Sequence, residues 1–354
     1  MKDSLQPGTE TAQPRHGIRV VAIGGGTGLS TLLKGLKHYT ILPGGTPGTA
    51  TFISELTAVV TVSDDGGSSG RLRRELNMLP PGDIRNCLVA VSEDESLISR
   101  LFQYRFTSPG DLENHSFGNL FLAALTAVTG DFAEAVKRAS EILATRGLIL
   151  PATSSNVELQ AIMDDGSCVT GETKITASER RIVELLMVPP DAEPLPQTLL
   201  ALADADIITI GPGSIFTSLV PNLLVRGIPE AIAASRAVKI FICNLMTEAN
   251  ESLSMTASQH IQALYAHAKR PIFDYALVNS GSVSAQMKAQ YAEELAHQVE
   301  CDQAAIKALG VKCIAGDFVE ENHFARHATD RLCQEILRLA EISSRPSSRI
   351  PVSR

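Results

Sequence analysis

The six cysteines, at positions 87, 168, 243, 301, 313 and 333, include no CxxC pair, which excludes a zinc ribbon and a dithiol redox centre. Scattered single cysteines suit a reducing compartment, so a cytoplasmic protein is expected. Long apolar runs are also missing. No stretch reaches the roughly 18 uncharged residues of a membrane span, and the polar start, Met1 to His16, lacks the apolar segment of a secretory signal. Positive charge is in deficit: Lys+Arg 31 against Asp+Glu 39 leaves a net charge of -8. A duplex-coating protein needs a strongly positive face, so nucleic acid is disfavoured as a partner. HExxH, EF-hand and Ser/His/Asp patterns are absent as well. What is present is a 354-residue chain that is 44% hydrophobic, enough for a sizeable core in one large domain or two smaller ones.

Residues 1–16 read as a flexible N-terminal arm and 343–354 as a flexible tail. Between them, short apolar, largely β-branched runs recur at Ile18–Ile23, Ala58–Val62, Ile207–Ile210, Val238–Ile242, Tyr275–Val278 and Val311–Ile314. Continuous rather than alternating runs suit parallel strands buried on both faces. Helical stretches are predicted at Leu29–Lys37, Asn119–Thr129, Phe132–Ala144, Met255–Lys269, Ala285–Leu309 and Asp330–Ile342. This alternation predicts an α/β fold with a doubly wound, mainly parallel sheet over 17–342. Glu158–Met163, an Asp-Gly turn and Cys168–Gly171 read as a β-hairpin, which with Ile182–Val188 makes a small antiparallel insert over about 151–196.

Five segments carry the chemistry. The first is a strand running into Gly24-Gly25-Gly26-Thr27-Gly28-Leu-Ser and then a helix. Glycines let backbone approach a phosphate, and a helix start offers unpaired N–H groups. The spacing is neither the dinucleotide fingerprint nor a Walker A loop, but three consecutive glycines exceed what a turn needs. The second, Ser63-Asp64-Asp65-Gly66-Gly67-Ser68-Ser69-Gly70-Arg71, follows another buried strand. Its carboxylates could bond a ribose or hold Mg²⁺, and its serines could cradle phosphate. The third, Pro80-Pro-Gly-Asp83-Ile-Arg85-Asn86, offers a helix cap or second metal carboxylate, a phosphate clamp and a polar hook. In the fourth, Asn114-His115-Ser-Phe-Gly-Asn119, polar groups open an apolar helix, and His115 is either a general base or structural. The fifth, Ile210-Gly211-Pro-Gly213-Ser214, repeats the strand–glycine–helix junction; Phe216 stands where a hydrolase elbow needs glycine. Asn244 and Thr247 end a further strand, and Arg326-His327 precedes the last helix.

Loops that follow parallel strands converge on one crevice, so these segments together predict a phosphorylated, nucleotide-containing ligand. The glycine loop, the Asp-Asp-Gly-Gly-Ser-Ser-Gly string, Pro-Pro-Gly-Asp-Ile-Arg-Asn, Asn-His-Ser-Phe-Gly-Asn and Gly-Pro-Gly-Ser resemble the YvcK family of gluconeogenesis factors over about residues 17–340. That family is similar to the CofD-type 2-phospho-L-lactate transferases. The resemblance implies a Rossmann-like three-layer fold, a UDP-sugar ligand such as UDP-N-acetylglucosamine, and a role in cell shape and envelope synthesis during gluconeogenic growth. It also implies Mg²⁺ ligation, as in the transferases, at Asp64 or Asp65 and at Asp83. The family's usual Arg-His-Asp reads Arg326-His327-Ala328 here, so a carboxylate for His327 would have to come from elsewhere, Asp330 being nearby.

Three readings follow: a nucleotide-sugar-binding regulatory protein, a Mg²⁺-dependent transferase acting on a nucleotide-activated donor, and an NAD(P)-linked enzyme, the last disfavoured by the irregular glycine spacing. The expected ligand contacts are Gly24, Gly25, Gly26, Thr27, Gly28, Asp64, Asp65, Gly66, Ser68, Ser69, Arg85, Asn86, Asn119, Gly211, Gly213, Ser214, Asn244, Thr247 and His327. Monomer and homo-oligomer both stay open.

Overall fold

Val20, Val21, Ala22 and Ile23 are all buried, yet they serve two different cores. Val20 and Ala22 pack with the leucines of a helix that follows them, while Val21 and Ile23 face the opposite layer. That is the signature of a strand covered on both faces. The computed structural model describes residues 17–40, 52–92, 97–249 and 251–344. The expected arm at 1–16, and all but the first two residues of the expected tail at 343–354, lie outside the described residues.

The strands, in chain order, are β1 (Ile18–Gly24), β2 (Ile53–Val60), β3 (Leu148–Pro151), β4 (Glu158–Met163), β5 (Cys168–Thr170), β6 (Ile182–Val188), β7 (Ile207–Ile210), β8 (Val238–Ile242), β9 (Tyr275–Asn279), β10 (Lys312–Gly316), β11 (Val319–Glu321) and β12 (Ala325–His327). Seven of them form one parallel sheet in the order β10-β9-β8-β7-β1-β2-β3. The chain moves outward from β1 through β2 to β3, then returns to the other side of β1 at β7. The strand order therefore reverses between β1 and β7, and a crevice opens beyond their carboxyl ends.

Helices α1 (Gly26–Leu36) and α3 (Gly82–Val91) pack on one face, with α2 (Gly67–Leu76) between them in sequence. Leu29, Leu32, Leu33 and Leu36 form the buried stripe of α1 at helical spacing. At about 1.5–3 kcal/mol per buried leucine, that stripe anchors the helix by a gross amount of order 10 kcal/mol. Its first residues can therefore adopt unusual backbone geometry without losing the helix. On the other face, β4 pairs antiparallel with both β5 and β6, and Leu159, Ala161, Leu185 and Met187 close the second core.

Two sequence expectations need correction. β2 begins five residues before the predicted run, because Ser54 and Glu55 interrupt the apolar pattern but not the ladder with β1. The single helix expected over Ala285–Leu309 is two, Ala285–Ala292 and Gln303–Ala308. Leu295 adopts φ 59 between them, and the intervening chain bonds back to the segment that follows β8 through His297 N–H to Thr247 Oγ1 (2.9 Å) and Val299 N–H to the Leu245 carbonyl (2.9 Å). Tertiary pairing outweighs helix propensity here.

Candidate functional site

The crevice at the β1/β7 reversal is a cavity of about 500 Å³. One wall is the glycine loop. Gly26 has φ 61, a left-handed conformation that costs other residues roughly 1–2 kcal/mol. A side chain at Gly28 is excluded outright, since its Cβ would stand 2.3 Å from the Pro212 carbonyl oxygen. The two glycine junctions thus interlock backbone to backbone. α1 begins at Gly26, so its first amides have no partner within the helix. Gly26 N–H donates to Asp83 Oδ2 (2.8 Å), while Thr27 and Gly28 line the cavity with the positive end of the helix dipole.

The facing wall is the second junction. Gly213 donates its N–H to Asn244 Oδ1 (3.0 Å) and accepts from Asn244 Nδ2 (2.9 Å), so Asn244 braces the loop with its whole amide. Buried Glu251 accepts from the N–H groups of Phe216 and Thr217 and from the Thr217 hydroxyl, clamping the start of the next helical segment from behind. Burial and neighbouring Glu248 push the Glu251 carboxyl up to about 7. Glu248 itself lines the cavity, and burial raises it too, against a hydrogen bond from Ser214.

The hairpin β11–β12 and the helix Ala285–Ala292 supply the outer rim: Tyr291, Phe324, Arg326 and His327. His327 is held by the Cys243 carbonyl, 3.0 Å from Nε2. A carbonyl only accepts, so Nε2 carries the proton and Nδ1 keeps its lone pair. Burial lowers this imidazole to about 4, so it is neutral at physiological pH. The backbone thus takes the orienting role for which the neighbouring sequence offers Ala328 in place of a carboxylate, and Ala328 is buried, donating its N–H to the Phe318 carbonyl (2.7 Å).

Of the residues expected at the site, Gly25, Gly26, Thr27, Gly28, Gly213, Ser214, Asn244, Thr247 and His327 meet in this cavity. Gly24 and Gly211 lie at the strand ends behind them, Gly211 with φ 88 and its N–H on the Ile23 carbonyl. Asp64 and Asp83 lie behind the glycine loop. Burial, with Asp64 adding like charge, raises Asp83 to about 6, and Asp64 Oδ1 accepts the Gly66 N–H (2.8 Å). Half-buried Glu172, its carboxyl raised by burial and by Asp64 and Asp83, accepts from Ser63 (2.9 Å) and adds a third acid to this group.

The remaining expected contacts are elsewhere. Asp65 turns away to accept from the backbone and hydroxyl of Thr173. Ser68 and Asn119 are buried, and the Ser68 hydroxyl is shared between His115 Nδ1 (2.9 Å) and Asn119 Nδ2 (3.0 Å). The buried Ser69 side chain lies against Gly82. His115 is thereby part of the packing, with burial and Arg71 lowering its imidazole. Arg85 and Asn86 face a separate cleft across α1. In the other direction, Arg326, Tyr291, Phe324 and Glu248 were not among the expected contacts. Arg326 stands beside His327 and Glu248 beside Thr247 in segments the sequence singles out, and Phe324, 51% exposed in the fold, is an aromatic in a polar stretch.

Among the described residues no helix is long and apolar enough to cross a membrane, and no group of three or more His, Cys, Asp or Glu is arranged to hold a metal ion.

Comparison with known proteins gives a consistent picture. The sequence profile of 2-phospho-L-lactate transferase CofD matches residues 20–319. A gluconeogenesis factor of Halalkalibacterium halodurans is 47% identical over 90% of this chain and 95% of its own. That of Bacillus subtilis is 44% identical over 91% of this chain and 98% of its own. The crystal structure of a UPF0052-family protein from Bacillus halodurans superposes with a TM-score of 0.85 at 46% identity, covering 91% of this chain and 99% of that one.

Proposed function

This chain belongs to the CofD family, in the branch of the gluconeogenesis factors, and from that premise we propose that its cavity binds a nucleoside diphosphate sugar of the UDP-N-acetylglucosamine kind as a regulatory ligand. The carrying observation is the combination found in one cavity. Helix-start amides and Arg326 suit a diphosphate, Tyr291 and Phe324 suit the flat face of a base, and the bare Nδ1 of His327 suits a sugar hydroxyl. The bound state would link carbon supply to cell shape and envelope synthesis during gluconeogenic growth, in a cytoplasmic protein. Isothermal titration with UDP-N-acetylglucosamine tests the reading. Saturable binding that Phe324→Ala and Arg326→Gln each weaken at least about tenfold is expected; no heat at millimolar ligand refutes it.

A second reading, a Mg²⁺-dependent transferase, draws on the acidic group behind the glycine loop. Mg²⁺ is commonly held by one or two carboxylates plus substrate phosphates, and Asp64 and Asp83 beside the glycine loop fit that donor set. Asp65, committed to Thr173, does not. When bound, the ion would neutralise phosphate charge. The protein's own residues would position the donor, with Glu248, raised by burial, available to take a proton from an acceptor hydroxyl. Release of UDP from the sugar nucleotide in the presence of Mg²⁺, abolished by Asp64→Asn and by Asp83→Asn, would select this reading over the first.

A further inference from the structure

Across α1 from the cavity lies a second, smaller cleft of about 350 Å³, between α1 and α3. Lys34, Arg85 and Arg105 line it, with Asn86, and Thr27 and Thr31 form the wall it shares with the larger cavity. Among the described residues no carboxylate lines it. In a chain of net charge -8, three cations lining one cleft repel one another, and a bound anion would relieve that repulsion. Among the described residues neither Lys34 nor Arg105 forms an ion pair. Arg105 spends one N–H on the Asn114 carbonyl (2.6 Å), and Arg85 spends one on Asn86 Oδ1 (2.6 Å), leaving most of both guanidinium forks undirected. Burial first, and then the neighbouring Arg105, hold Arg85 below its ordinary value, against the opposing pull of Asp83 and Asp64. Its stem is also fixed: a Cβ at Gly118 would stand 2.9 Å from Arg85 Cγ and Cδ, so the side chain lies directly against that backbone.

We propose that this cleft is a second ligand site, for a small phosphate-bearing molecule bound at the same time as the ligand of the larger cavity. Two guanidinium forks and an ammonium match the three terminal oxygens of a phosphate dianion better than a single carboxylate. The volume sits at the small end of ligand cavities, about 300–1,000 Å³, with room for a phosphate and a short carbon chain. The site gives Arg85 and Asn86, which line the smaller cleft, a ligand of their own, and it does not depend on what the larger cavity binds.

The test is titration calorimetry of the full chain with sn-glycerol 3-phosphate and, separately, inorganic phosphate. Wild-type protein and the double variant Lys34→Gln/Arg105→Gln are compared, with and without saturating UDP-N-acetylglucosamine. Both substitutions are at exposed positions, and circular dichroism checks that the fold is kept. Expected is saturable binding that survives the sugar nucleotide and weakens at least about tenfold in the double variant, since two charge-assisted contacts are lost. Tighter binding of the ester identifies an organic phosphate as the ligand, and equal affinities identify phosphate itself. Unchanged affinity in the double variant, displacement by the sugar nucleotide, or no binding at tens of millimolar would overturn the proposal. The sugar nucleotide titrated alone reads the larger cavity separately.

Discussion

Replacing Asp83 by asparagine should make this protein more stable at neutral pH, and the pH dependence identifies the cause. The carboxyl is raised from 3.8 to about 6, chiefly because burial disfavours its charge, with Asp64 adding to it. A folded-state value above the unfolded one means that the native protein holds the extra proton between about pH 4 and 6. Stability is therefore highest below about pH 4 as far as this group is concerned, and is lost as pH rises through 6. Two units at 1.36 kcal/mol each put the cost of the ionised carboxylate at up to about 3 kcal/mol at pH 8. Asparagine keeps an oxygen for the Gly26 N–H without the charge. His327 and Glu251 also titrate, with opposite signs, but they are common to both proteins and cancel in the difference. Melting temperatures measured from about pH 4.5 to 8 without Mg²⁺ should show Asp83→Asn ahead by about 3–6 °C at the alkaline end, the gap closing at the acidic end. A variant less stable at every pH, or a gap independent of pH, would show that Asp83 is not the strained charge described here.

The same carboxylate sits behind the glycine loop with its Oδ2 on the Gly26 N–H, so wild-type affinity for the sugar nucleotide, measured calorimetrically without Mg²⁺, should rise as pH falls through about 6, more steeply than that of Asp83→Asn. Gly28→Ala places a methyl against the Pro212 carbonyl and must push the two glycine junctions apart; it should lower both melting temperature and ligand affinity, and an unchanged affinity would show that the interlock does not shape the cavity. Tyr291→Ala should weaken a uridine nucleotide by about five- to a hundredfold if the ring carries a stacked base, read by calorimetry against the wild type. His327→Phe should lower affinity for a sugar nucleotide by about tenfold through the lost acceptor, while ligand affinity in the wild type stays indifferent to this imidazole between pH 5 and 8, because burial keeps it neutral.

Much of the frame was legible from local pattern. Val20 to Ile23 and Ile207 to Ile210 are apolar without interruption, and only a strand covered on both faces uses such a run. The glycines at 24–28 and 211–213 announced two junctions at strand ends, and both lie where the strand order reverses. β3 was missed because its four residues, ending in Pro151, carry too little pattern to distinguish from a loop. Asp64 and Asp65 could not be told apart by sequence because adjacent residues in a loop point in different directions, and it is Thr173, 108 positions away in sequence, that takes Asp65.

The sequence by itself determined the parallel α/β sheet, the two glycine junctions and the family, because strand period, backbone freedom at glycine and motif spacing are properties of neighbouring residues. Only the tertiary structure decided which polar groups share a space. It brought Tyr291, Phe324 and Arg326 to the glycine loop, seated His327 on the Cys243 carbonyl, and put Arg85 and Asn86 on the far side of α1. The physical reason is that each of these placements depends on contacts between segments tens to hundreds of residues apart, which packing of the two cores sets and local propensity does not.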